Sequence, residues 1–323
     1  VSLPDFFIIG APKAGTTALH VAMAQHPGLF MSPVKEPKYF LCDGPPPDRG
    51  GPGDAHSYRE WIWERDRYEQ LFDAAPPLSL RGESTPFYLA DPAAQRRIHD
   101  LLPDARLIVI LRDPVDRAYS NWAHLWADGL EPIDDFVTAC GEEPRRTEAG
   151  WAPFWRYLET GLYGQQLRHL YTLFPRDQVH VIRYKSLVDD PGPTLDGICR
   201  FLGVQEGLIA EAPAVNVGGY VEPSLPTKVL QTVFRHGAAV GSHFPPQVWR
   251  KVSLPLQWLM QRTPQHRPEL AEEERAKLLS YFSDDIDVLE AETGWDLQEW
   301  RSYRRGGTYS VRKSWAPSRR LVS

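Results

Sequence analysis

Near the start of the chain, Gly10-Ala11-Pro12-Lys13-Ala14-Gly15-Thr16-Thr17 sets a lysine and two glycines between segments of different periodicity. Phe6, Phe7, Ile8 and Ile9 are four consecutive apolar residues, the mark of a strand buried on both faces. After Thr16 and Thr17, Leu19, Ala22 and Met23 recur at helical spacing. A strand, a tight turn and a helix start are therefore adjacent. Gly10 and Gly15 let the backbone approach a ligand closely. The amides of the turn from Ala14 to Thr17, the positive end of the helix and the Lys13 ammonium converge on one point. That point suits a phosphate, and a plain βα turn has no need of the lysine. A Walker-type loop places its lysine directly after the second glycine, followed by the Ser or Thr that holds Mg²⁺. Here the lysine lies inside the loop, so a γ-phosphate and metal site is not specified. A nucleotide kinase or other P-loop NTPase stands as the alternative, and a non-catalytic nucleotide-binding module as a third possibility.

A second cluster follows Arg106-Leu107-Ile108-Val109-Ile110-Leu111, the clearest strand in the sequence, which runs into Arg112-Asp113-Pro114. Pro114 suits the first turn of the next helix. Ser120 shares a helix face with Asp113, Asp116 and Arg117. A guanidinium at the strand end and a hydroxyl two turns into the helix can grip one phosphate from two sides. A capping and salt-bridge cluster among Arg112, Asp113, Asp116 and Arg117 is the competing account. Lys35 and Glu36 lie between Pro33 and Pro37, which forbid a regular helix and leave both on a loop. Trp122 and Trp126 are one turn apart, as are Trp151 and Trp155; such pairs line a sugar or polyketide pocket or belong to the core.

These residues need a scaffold, and its elements can be traced. Leu29 to Met31 is a short extended piece, 43–54 a mobile surface loop rich in Pro and Gly, and 55–73 a helix. A short strand at Leu80 to Glu83, a helix from about Pro92 and the strand Val179 to Arg183 follow. Residues 133–140, 153–174 and Leu195 to Leu202 have helical periodicity, and a long helix is expected near 268–294. Strands alternating with helices predict an α/β fold, a P-loop-like, mainly parallel sheet with helices on both faces and a largely helical C-terminal part. The expected organisation is one domain over 1–323, with an α/β core over 1–205, a helical part over 206–300 and a basic tail over 301–323. Ligands of such sheets bind at the carboxyl ends of the strands, where both charged clusters emerge.

The 323 residues are 42% hydrophobic and 24% charged with net charge −6, ordinary for a globular protein and without global attraction to nucleic acid. Three scattered cysteines, Cys42, Cys140 and Cys199, imply neither a disulfide framework nor a metal motif, which favours a reducing, cytoplasmic setting. No apolar run approaches the length of about 20 residues that spans a bilayer. The chain begins without methionine almost on its first strand, so a trimmed leader stays open.

The form Pro-Lys-x-Gly-Thr-Thr at 12–17 resembles the 5′-phosphosulfate loop of sulfotransferases that use 3′-phosphoadenosine 5′-phosphosulfate (PAPS). The Arg112-Asp113-Pro114 helix with Arg117 and Ser120 resembles their 3′-phosphate motif. Lys35-Glu36-Pro37-Lys38-Tyr39-Phe40 and Gly82-Glu83-Ser84-Thr85-Pro86-x-Tyr88-Leu89 are similar to segments of the heparan-sulfate-type and bacterial branch. So are His124 and Gly129-Leu130-Glu131, and Tyr184 in Ile182-Arg183-Tyr184-Lys185-Ser186-Leu187 before Phe201-Leu202-Gly203. The match covers about residues 5–205. It departs at Lys38, where many relatives have His, and at Ser84, where some have Lys.

The resemblance implies a PAPS-dependent transfer to a hydroxyl of a carbohydrate or secondary metabolite, without metal, with Glu36 as base. Lys13, Ala14, Gly15, Thr16, Thr17, Arg112, Ser120 and Tyr184 would bind the donor. His124 would contact or help deprotonate the acceptor, or be a satisfied, partly buried histidine. Lys35, Glu83, Trp122 and Trp126 would line the acceptor site, Glu83 orienting Lys13 or the substrate. The segment closing over the nucleotide would be 216–228 or the basic run Arg304, Arg305, Arg312 and Lys313. Acceptor identity and oligomeric state are not specified.

Overall fold

The computed structural model describes residues 2–209, 211–213 and 268–302. Strand β1 (Phe6–Gly10) is buried along its whole length and runs through a turn into helix α1 (Thr16–Met23). There follow β2 (Leu29–Met31), α2 (Asp54–Tyr58), α3 (Arg65–Gln70), β3 (Leu80–Ser84) and α4 (Pro92–Leu101). The second unit comprises β4 (Arg106–Leu111), α5 (Pro114–Ala127), α6 (Phe136–Gly141), α7 (Glu143–Glu148) and α8 (Tyr163–Leu173). It continues with β5 (Val179–Arg183), α9 (Tyr184–Asp189) and α10 (Pro191–Leu202), and the helices Glu272–Thr293 and Gln298–Arg301 close the described chain.

The five strands form one sheet in the order β2-β3-β1-β4-β5, and every neighbouring pair is parallel. The apolar runs of β1 and β4 occupy its middle, as strands covered on both faces must. From β1 the chain turns toward β2 and β3, and from β4 toward β5. The crevice beyond the carboxyl ends of β1 and β4 is thus the topological switch point where open sheets bind ligands. The turn after β1 carries Lys13 there, and the end of β4 carries Arg112. Asp113 caps α5 by accepting from the Val115 and Asp116 amides at 2.9 and 3.0 Å, with Pro114 in the first turn.

The C-terminal helix Glu272–Thr293 packs on α8 and α5. Asp285 accepts from the Gly164 and Gln165 amides at 2.8 and 2.9 Å, supplying acceptors for the first turn of α8. No helix among the described residues is long and apolar enough to cross a membrane.

Three stretches differ from their periodicity. The helix expected over 55–73 is two short ones, because the Ile62 amide between them donates to Pro37 O at 2.9 Å instead of to its own turn. In 153–174 the helix begins only at Tyr163, since the Leu158 and Glu159 amides are taken by Glu143 at 2.6 and 2.8 Å. The loop 43–54, expected to be mobile, is anchored at its end. There the buried Asp54 accepts from the Gly51 and Ala152 amides and the Trp155 indole at 2.6, 2.8 and 2.8 Å.

Candidate active site

Gly15 stands at φ 92 as the N-cap of α1, a conformation that favours glycine, and no side chain among the described residues caps the helix. A β-carbon on Gly15 would lie 2.9 Å from the Tyr184 ring, so the first residue of α9 closes directly over the turn. Arg112 crosses from β4 to the same turn. Its Nη1 donates to Lys13 O at 3.5 Å, and its guanidinium lies 5.1 Å from the Tyr184 ring centre. Burial pushes the Lys13 ammonium down to about 8, helped by Arg112 and Lys35 and opposed by Asp128 and Glu36. A lysine in that range still carries its charge at neutral pH and releases its proton readily.

Glu36 lies on the expected loop, at φ 61, its amide donating to Ser84 O at 2.9 Å. It is ion-paired with Lys35. Burial would raise its carboxyl, but Lys35, Lys38 and Lys13 outweigh that and hold it below the ordinary carboxylate range. His124 sits on α5, 3.6 Å from Asp128. Burial and the Lys13 charge hold its imidazole below its usual value, against Asp128 and Glu36. Lys13, Glu36 and His124 therefore share one electrostatic neighbourhood.

A cavity of about 510 Å³ opens beside them, lined by Val34, Lys35, Glu36, Lys38 and Glu60. On the Arg112 side, Asp116 lies 3.9 Å from Arg112 and 3.2 Å from Arg275 of the C-terminal helix, which is also paired with Asp113. Burial and the neighbouring Asp116 raise Asp113 to about 6, against the pull of Arg275. Ser120 is half-buried on α5, one turn beyond Asp116. Arg117 stands outside the expected ion-pair cluster, fully buried and donating to Tyr157 O.

Other expected positions fall elsewhere. Trp122 and Trp126 are buried and stacked with centres 6.0 Å apart, and the Trp122 indole donates to Ile133 O at 3.0 Å, so both belong to the core. The Trp151 and Trp155 rings meet edge to face at 4.9 Å on the Arg146 guanidinium. Glu83 has no exposed surface, and its carboxylate is bound by Tyr68, Thr85 and Tyr88 hydroxyls, not by Lys13 or an open surface. Segment 216–228 and the run Arg304 to Lys313 lie outside the described residues.

Three residues join the site that motif reasoning passed over. Asp128 is the chief anionic influence on Lys13, and its four-residue offset from His124 on one helix was the available signal. His20 lies 2.9 Å from Ser84 Oγ, and burial together with Lys35 pushes it down to about 4. Glu60 reaches the cavity because the chain leaves its helix at that point.

A sequence model described as the sulfotransferase family matches residues 53–206. The human heparan sulfate glucosamine 3-O-sulfotransferase 6 is 29% identical over 204 residues, 62% of this chain and 53% of that protein. A bifunctional heparan sulfate N-deacetylase/N-sulfotransferase of Drosophila melanogaster is 29% identical over 222 residues, 63% of this chain and 20% of that protein. The chain thus spans about a fifth to a half of the length of these curated relatives. A solved sulfotransferase from Alicyclobacillus acidocaldarius is 30% identical, superposes with a TM-score of 0.71, and covers 94% of this chain and 100% of its own. The chain belongs to the sulfotransferase family.

Proposed function

We propose that the protein transfers the sulfuryl group of PAPS in line to a hydroxyl of a carbohydrate or secondary metabolite, with Glu36 as general base. The observation that carries this reading is the joint placement of Lys13 and Arg112 at the β1–β4 crevice and of Glu36 within the field of Lys13. The fit to the donor rests on three features of the chain. The uncapped first turn of α1 offers its amides to an anion, Gly15 admits close approach, and the buried Nε of Arg112 has no partner within the described residues.

In this reading Lys13 and the amides of Ala14, Gly15, Thr16 and Thr17 hold the 5′-phosphate, and Arg112 with Ser120 holds the 3′-phosphate. Tyr184 covers the turn. The bound donor supplies the activated sulfuryl group. Glu36 takes the acceptor proton, and Lys13 neutralises the charge that develops on the leaving oxygen. His124 contacts the acceptor, and Lys35 holds the Glu36 carboxylate in place. Residues 1–205 form the donor-binding core of a single domain, and the cavity beside Glu36 receives the acceptor.

Incubation with PAPS labelled in the sulfuryl group and a panel of sugars, glycosaminoglycan fragments and phenols tests the proposal. It predicts a labelled product and stoichiometric 3′-phosphoadenosine 5′-phosphate (PAP). Mg²⁺-dependent ATP turnover without such transfer would overturn it.

A further inference from the structure

The buried Glu83 carboxylate receives three hydroxyl protons. Tyr68 donates to Oε2 at 2.6 Å, Thr85 to Oε1 at 2.6 Å and Tyr88 to Oε2 at 3.3 Å. Two of these hydroxyl oxygens accept in turn from the loop that carries Glu36: Thr85 Oγ1 from the Lys38 amide at 3.4 Å, and Tyr88 Oη from the Phe40 amide at 3.3 Å. Glu36 and Lys38 both hold positive φ, 61 and 63, which persists in non-glycine residues only where the surroundings over-determine it. The Glu36 amide adds its bond to Ser84 O. A hydroxyl has one proton, so when a carboxylate takes it, the lone pairs remain for another donor.

We infer that Glu83 is a positioning residue for Glu36: its ionised carboxylate turns the Thr85 and Tyr88 hydroxyls so that they accept from the Lys38 and Phe40 amides, fixing the loop. This inference rests on Glu36 being the base. Protonated Glu83 would donate its one O–H to one of those hydroxyls; where Thr85 or Tyr88 takes it, the displaced hydroxyl proton would face the Lys38 or Phe40 amide. Burial raises Glu83 to about 7, against the three hydroxyl bonds, with the Glu36 carboxylate adding to the rise.

The titratable groups facing Glu83 are Tyr68 of α3, Tyr88 beyond β3, Tyr39 stacked on Tyr68 at 4.1 Å, and Glu36. Burial and the Glu83 charge hold Tyr68 and Tyr88 far above their ordinary value, so both stay protonated. Glu36 stays ionised well below neutrality, since its lysines depress it. A loss of turnover as pH falls through about 7 that disappears in Glu83→Gln belongs to Glu83.

The test compares Glu83→Gln, Thr85→Val and Thr85→Ser with the wild type, reading kcat against pH, PAP affinity, and hydrogen exchange of the 36–40 amides. Because the misplacement of a catalytic group by about 1 Å costs about 10²-fold, Glu83→Gln should lose about that much kcat and the inflection near pH 7 with it. Thr85→Val removes one of the two hydroxyl acceptors of the loop and should lose about tenfold, half of that loss on a logarithmic scale; Thr85→Ser should recover most of it, and PAP affinity should stay near wild type in all three. The Lys38 and Phe40 amides should exchange faster in Glu83→Gln, and the Lys38 amide in Thr85→Val. Wild-type kcat and wild-type protection in both would overturn the inference. If Glu36→Gln keeps full turnover, the assignment of the base fails instead, and the amide protection still decides whether Glu83 sets the loop.

Discussion

Replacing Lys13 by Met should stabilise the unliganded protein while abolishing its donor binding. Burial lowers the Lys13 ammonium from 10.5 to about 8, so at neutral pH the folded chain holds a charge that its environment disfavours. The shift of 2.5 multiplied by 1.36 kcal/mol gives about 3 kcal/mol, an upper value because the side chain keeps some contact with solvent. Met retains the stem and removes that cost. The pH dependence follows from linkage. Between about 8 and 10.5 the unfolded chain binds more protons than the folded one, so wild-type stability rises with pH over that window. The advantage of Lys13→Met should therefore be fully present below about pH 8 and shrink to about 1.4 kcal/mol near pH 9.5. PAP at about 1,000 times its Kd should reverse the order, since it then stabilises the competent wild type by about 4.1 kcal/mol. Urea denaturation of both proteins at neutral and alkaline pH, with and without PAP, measures all of this. A Lys13→Met protein no more stable than wild type at neutral pH would refute the claim that the site stores an unfavourable buried charge.

Glu36→Gln should lower turnover by about 10²–10⁴-fold with donor affinity nearly unchanged, whereas His124→Ala should cost less; the reverse order in single-turnover kinetics would move the base to His124. Arg275→Met removes the guanidinium shared by Asp113 and Asp116. Asp116 should then draw Arg112 away, and PAP affinity should fall about tenfold with affinity for adenosine 5′-phosphate unchanged, as titration calorimetry would show. Arg146→Met strips the buried Glu131 of the guanidinium that grips it at 2.7 and 2.8 Å. It should cost about 3–5 kcal/mol in urea denaturation without altering donor affinity in the protein that remains folded.

The turn after β1 and the end of β4 were legible because their residue types are locally unusual: a lysine among glycines, and a guanidinium at the end of a buried strand. Sheet order followed less directly, although two apolar runs with charged ends fit the central pair. Glu83 was not legible. Its neighbours in sequence suggest an open active-site carboxylate, and only the fold brings Tyr68 of α3 and Tyr88 onto it. Trp122 and Trp126 show the same limit, since a four-residue offset defines a face but not whether it meets the core or a pocket. The interrupted helices failed for a related reason. Their aromatic periodicity continues, but tertiary partners such as Pro37 O and the Glu143 carboxylate claim the amides that a helix would use.

The central claim is that the crevice between β1 and β4 holds a 3′,5′-bisphosphorylated adenosine, Lys13 on one phosphate and Arg112 on the other. Calorimetric titration of wild type and Arg112→Ala with PAP, adenosine 5′-phosphate and ATP, with and without Mg²⁺, tests it most directly. Wild type should bind PAP at least about tenfold more tightly than either competitor and without need of Mg²⁺, and Arg112→Ala should erase that preference, each lost charge-assisted contact being worth about 1.5–3 kcal/mol. Equal affinity for all three nucleotides in the wild type, or an Mg²⁺-dependent preference for ATP, would contradict it.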